Sequence, residues 1–171
     1  MDLTRIIRLC VLGMVAVLMA VGIPSCGGDD DDDSSDTEVT EELTNRYDAA
    51  VNELNSAVRT YNTRSTQDVQ RQNLAALKSD TATLRTAYFE FDKTLRELAL
   101  PASLEDEVNA VLDAQGTVIA DLDAVGEASS GPEALDLIQR FRTDKADQYD
   151  PATDTLADAL RQGLEDGQSD D

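Results

Sequence analysis

The chain has 171 residues, 41% of them apolar, enough for one domain with a sizeable core. Acidic residues outnumber basic ones 35 to 14, and the resulting net charge of -21 disfavours nucleic acid and bare anionic lipid as partners. With no His, no Trp and two Cys, the chain lacks the usual residues of transition-metal and general-base chemistry.

The first element reads as a targeting segment rather than as fold. Arg5 and Arg8 form a basic flank, and Leu9 to Ile23 is an uncharged apolar run of 15 residues ending at Pro24. A spanning helix needs about 20 apolar residues, so the run predicts a cleaved signal over residues 1–25. The two arginines are not adjacent, which favours the general secretory route over the twin-arginine one.

Ile23, Pro24 and Ser25 then stand directly before Cys26. An aliphatic residue, a middle residue and a small residue ahead of a cysteine resemble the lipobox of bacterial lipoproteins, a resemblance confined to residues 1–28. It implies cleavage between Ser25 and Cys26 and a diacylglycerol on the Cys26 thiol. It also implies an extracytoplasmic protein held on the cell membrane, or on the outer membrane of a Gram-negative host. Other uses of Cys26 fare worse. A bridge to Cys10 across a helical signal would span about 24 Å, whereas disulfide geometry needs Cα atoms within about 7 Å. A metal site or a thiol nucleophile would want His or further Cys.

Residues 27–36, "GGDDDDDSSD", offer nothing apolar to bury and charge of one sign only. With Cys26 they predict a self-repelling, disordered tether, extending to about 35 Å. The Asp run lacks the alternating ligands and glycine of a calcium loop.

A seven-residue apolar repeat follows. Leu43, Tyr47, Ala50, Leu54, Ala57 and Tyr61 share one helical stripe, predicting a helix over 37–62 opened by a Ser35/Glu38 capping box. "NTRST" reads as a link, and Ser65 with Asp68 as a second capping box opening a helix over 66–99. That helix carries Leu77, Thr81, Leu84, Tyr88, Phe91, Leu95 and Leu98, and Pro101 stops it. A third, 102–128, carries Leu104, Val108, Val111, Gln115, Val118, Leu122 and Val125. "SSGP" breaks the chain, and Pro132 suits the first turn of a fourth helix over 132–164. That helix runs through Leu135, Ile138, Phe141, Leu156 and Leu160, with a kink or restart expected at Asp150-Pro151. Residues 167–171 read as an acidic tail.

Four amphipathic segments within 37–166, with coiled-coil-like heptads, predict an all-α, up-down-up-down four-helix bundle. Tyr47, Tyr88 and Phe91 should form one aromatic layer. In that topology "YNTRST" and "EASSGPEA" lie at the end far from the tether, where an envelope protein partner would first meet the domain.

Function is less legible. Thr81, Gln115 and the Gln148/Tyr149 pair interrupt the apolar stripe near mid-height, as a register-fixing polar layer or as a small-ligand pocket. Asp147, Asp150, Asp154 and Asp158 recur on one face of the last helix, a solvated acidic face or a weak divalent-cation site. A di-iron site would need Glu-x-x-His motifs, which a chain without His cannot supply. The sequence therefore assigns no catalytic, cofactor or metal residue. It predicts a non-enzymatic binding or interaction module of the cell envelope, similar to Ala-rich helical bacterial lipoproteins without an assigned activity. Two further readings stay open: a small-ligand or cation sensor or carrier built on Thr81, Gln115, Gln148 and Tyr149, and a structural spacer.

Overall fold

A computed structural model describes residues 38–168; Ser25, Cys26, the apolar run, the Asp tether and the last three residues lie outside them. Helix α1, Glu41–Gln70, starts where the Thr40 hydroxyl accepts the Leu43 N–H at 3.2 Å, with Glu41 and Glu42 in the dipole-favoured first turn. This start lies four residues beyond the expected one, and Ser35 of the expected capping box is outside the described residues.

The link expected at "NTRST" does not exist. Helix α1 runs through it because its buried stripe continues past Tyr61 to Ser65 and Asp68, polar residues at core-facing positions. The Thr63 and Thr66 hydroxyls donate to the Arg59 and Asn62 carbonyls at 3.0 and 2.9 Å, so they are satisfied inside the helix. Ser65 and Asp68 therefore open no second helix. The chain turns at Arg71, Gln72 and Asn73 instead. Gln72 N–H donates to the Val69 carbonyl at 3.1 Å and Asn73 N–H to the Asp68 carbonyl at 2.8 Å. These two bonds make a Schellman cap, with Gln72 in the left-handed region at φ 55°.

Helix α2, Leu74–Glu97, is capped by Asn73, whose side-chain carbonyl accepts the Ala76 N–H at 3.1 Å. All seven stripe positions expected for it, Leu77 to Leu98, are buried, and it ends before Pro101. One 3₁₀ turn, Ala102–Leu104, leads into α3, Glu105–Glu127. Helix α4, Gly131–Asp144, is capped by Ser130, with Pro132 in its first turn.

The expected disturbance near Pro151 is a single π-helical turn, Lys145–Tyr149, inside one continuous rod that proceeds as α5, Asp150–Gln168. Pro151 has no N–H to give and its ring would crowd the Asp147 carbonyl, so a widened turn just before it relieves both problems. The inserted residue shifts the stripe. Ala134, Ile138 and Phe141 are buried, and the next buried positions are Tyr149, Thr153, Leu156 and Leu160. Leu135, expected on the stripe, is instead 42% exposed, its place taken by Ala134.

The buried side chains form one core shared by the four rods: α1 packs on α2, α2 on α3, α3 on α4 and α5, and α5 back on α1. Among the described residues there is no strand, and no helix is long and apolar enough to cross a membrane.

Candidate functional site

The four polar positions singled out at mid-height do not meet in one layer. The Thr81 hydroxyl donates to the Leu77 carbonyl at 2.8 Å and lies 3.3 Å from the Tyr61 hydroxyl, beside the edge-on pair Tyr61 and Phe141. Gln115 lies seven residues further along α2 in its contacts: its Nε2 donates to the Tyr88 carbonyl at 3.0 Å. Seven residues are about 10 Å of helix, so these are two separate layers.

Tyr149 belongs to the second layer. Its ring lies 5.4 Å from that of Tyr88 and 6.4 Å from that of Phe91, and Phe91 in turn meets Tyr47 at 6.3 Å. The aromatic layer expected from Tyr47, Tyr88 and Phe91 thus exists with Tyr149 added. Gln148 is exposed and only approaches Asp144, at 3.4 Å. A straight helix would have placed Gln148 on the stripe seven residues after Phe141; the extra residue of the π turn substitutes Tyr149.

Inside this layer the Tyr47 hydroxyl donates to the Thr153 carbonyl at 2.9 Å, whereas the Tyr88 and Tyr149 hydroxyls and Gln115 Oε1 are buried without a partner. Burial pushes the pKa of Tyr47, Tyr88 and Tyr149 upward, with the carboxylates of Asp48 and Asp154 adding to the effect at Tyr47 and that of Asp150 at the other two. Neutral hydroxyls in such a layer suit an internal water better than a charged ligand.

The acidic face of the last rod does not gather. Asp150 pairs with Lys145 and Asp158 with Arg161 at 2.9 Å. No group of three or more Cys, Asp or Glu among the described residues is placed to hold a metal ion.

A concavity lies where the α1–α2 link meets the start of α4. It is a cleft of ≈ 540 Å³, within the range of small-molecule sites. Val69, Leu74, Leu77, Pro132 and Leu135 supply apolar walls, and Gln72, Asn73, Gly131 and Asp68 complete the lining. Two local features open it: the left-handed Gln72 cap swings the chain off α1, and the Ser130 cap begins α4 directly opposite.

Asp68 is the distinctive member. It occupies a core-facing position of α1, is 9% exposed, and its Oδ2 is buried with no hydrogen-bond partner. A second groove of ≈ 280 Å³ shares Val69 and Leu135 with the cleft and continues along α1 and α4 to Arg142. Arg142 is already engaged, its Nε donating to Asn62 at 3.1 Å. Sequence reasoning missed this site because Ser65 and Asp68 look like a helix start. The available signal was their spacing, which prolongs the stripe of Tyr61.

No protein-family model matches the chain, and neither a curated protein nor a solved structure matches it.

Proposed function

We propose that this chain is a lipid-anchored binding module of the cell envelope with no catalytic role, an up-down-up-down four-helix bundle that presents its site at the end opposite the start of α1. Contact order supports the arrangement. Tyr47 meets Phe91 while Tyr61 meets Thr81, as antiparallel α1 and α2 require. Arg85 pairs with Asp123 at 2.6 Å while Tyr88 bonds Gln115, as antiparallel α2 and α3 require. Tyr47 meets Thr153 while Tyr61 meets Phe141, which does the same for α1 and the last rod.

In that topology the link around Pro101 shares an end with the start of α1, and the cleft lies at the other end. Lipid on Cys26, exposed by cleavage after Ser25, would tether the module to the membrane, where it would bind small molecules or an envelope protein partner. The observation that carries the binding reading is the apolar cleft lined by the mostly buried carboxylate of Asp68, a feature that a plain spacer does not need.

The test is mass spectrometry of the full-length chain isolated from its host's membranes. Acylated Cys26 at the mature amino terminus and a co-purified molecule lost on Leu135→Arg are expected. A soluble, unacylated product would overturn the anchor. A chain that carries no molecule and binds none would overturn the module.

A second reading keeps the ligand in the mid-bundle layer, favoured by the three unpartnered atoms of Tyr88, Tyr149 and Gln115. Under it, Gln115→Leu rather than Leu135→Arg would release the molecule.

A further inference from the structure

We infer that the cleft between the α1–α2 link and α4 takes a cationic amphiphile, a molecule with an apolar body and a single ammonium group, with Asp68 as its counter-ion. The inference rests on the binding-module reading and adds the chemistry of what is bound.

The argument begins with Asp68. A carboxylate oxygen removed from water and left without a donor is unfavourable, the more so when the group is charged. Asp68 Oδ2 is in that condition, on a residue only 9% exposed that lines the cleft. A cation seated in the cleft against the part of Asp68 that lines it would offset the carboxylate's charge, and would do so more strongly beside a mostly buried group than in open water.

The sign of the ligand follows from the rest of the lining. No Lys or Arg borders the cleft, so an anion would meet one carboxylate and no compensating side chain. At the two adjoining helix starts the Ala76 N–H is already taken by Asn73 at 3.1 Å and the Glu133 N–H by Ser130 at 3.4 Å. The net charge of -21 adds a long-range field that concentrates cations near the domain. The remaining walls are apolar, and ≈ 540 Å³ admits far more than a bare ammonium or metal ion, which would leave half-buried Leu74 and exposed Leu135 uncovered. Leu135, at 42% exposed, is the large apolar side chain that such a body would cover.

The test uses the full-length chain and three matched probes: 4-phenylbutylammonium, neutral 4-phenylbutanol and anionic 4-phenylbutyrate. Binding is followed by calorimetry and by amide NMR shifts. The ammonium is expected to bind at least about tenfold more tightly than the alcohol, the acid more weakly than both, with shifts at Asp68, Leu74, Gly131 and Leu135. In Asp68→Asn, ammonium affinity should fall to that of the alcohol while alcohol affinity is kept, which also reports that the cleft is still formed. Equal affinity for ammonium and alcohol in the natural chain overturns the cationic assignment and leaves the module standing. Tighter binding of the acid does the same and reverses the sign. Failure of all three probes to shift any cleft resonance overturns both readings.

Discussion

The Asp150 backbone N–H bonds to the carbonyl of Lys145, five residues back, and that one widened turn decides which side chains the last rod buries. It puts Tyr149, 3% exposed, among Tyr88 and Phe91, and turns Gln148 to solvent. The two neighbours should therefore respond very differently to truncation. Tyr149→Ala removes a buried ring and is expected to lower stability by about 3–5 kcal/mol, whereas Gln148→Ala should stay within about 0.5 kcal/mol. Urea midpoints at constant slope measure both. A large loss from Gln148→Ala would mean that the rod buries the register of a straight helix.

The same turn shows what the sequence conceals. The stripe of α2 was legible in full because seven apolar or small positions recur without interruption between two breaks. In the last rod the insertion is visible only as the eight-residue step from Phe141 to Tyr149, and Pro151 announces a disturbance without specifying its kind. Leu135 was misplaced because Ala134, a weaker apolar signal, occupies the core position. The cleft was hidden for a related reason. Ser65 and Asp68 are typical capping residues, so their pattern argues for a helix start, while their spacing from Tyr61 argues for a buried stripe. Tertiary burial overrides local preference here, and the true break depends on Asn73 and a left-handed Gln72 that no glycine marks.

That cap makes a second expectation. Gln72 adopts φ 55°, a conformation in which Cβ crowds the following carbonyl by about 1–2 kcal/mol for residues other than glycine. Gln72→Gly removes the crowding but gains unfolded-state freedom, so the net stabilisation should be about 0.5–1 kcal/mol. A rise in thermal midpoint with the Asp68 and Val69 bonds retained, read from amide exchange at Gln72 and Asn73, checks it. A fall would mean that the Gln72 side chain holds the link in place.

The start of α4 carries an acid-sensitive contact beside the cleft. The Ser129 hydroxyl and backbone N–H both donate to the Glu133 carboxylate, at 2.7 and 2.8 Å, and hold its pKa below the ordinary glutamate value. A depressed folded-state pKa contributes stability above the unfolded value and loses it as pH falls through the folded one. Glu133→Gln should therefore lower the thermal midpoint at neutral pH, and the gap to the natural chain should close on acidification below the ordinary glutamate range. A gap that persists unchanged into acid would assign the effect to helix propensity or packing, independent of the charge.

At the alkaline end the sign reverses, and the readout is unusually clean. The chain has four tyrosines, Tyr47, Tyr61, Tyr88 and Tyr149, and all four are buried in the core. Each has its pKa raised above 10.0, in every case mainly by burial, with the Thr81 hydroxyl partly offsetting the rise at Tyr61. A group whose folded pKa exceeds its unfolded one contributes stability below the unfolded value, and that contribution is lost as pH rises towards the folded value. Above pH 10 the unfolded chain releases four phenolic protons that the folded chain keeps, so stability should fall with a slope approaching four protons per chain. Tyrosinate absorbance should consequently appear together with loss of helical circular dichroism in a single cooperative transition. A fraction of the absorbance titrating near pH 10 with the helices intact would show that one of these hydroxyls reaches water, and Tyr61, with its hydroxyl partner, is the first to examine by Tyr61→Phe.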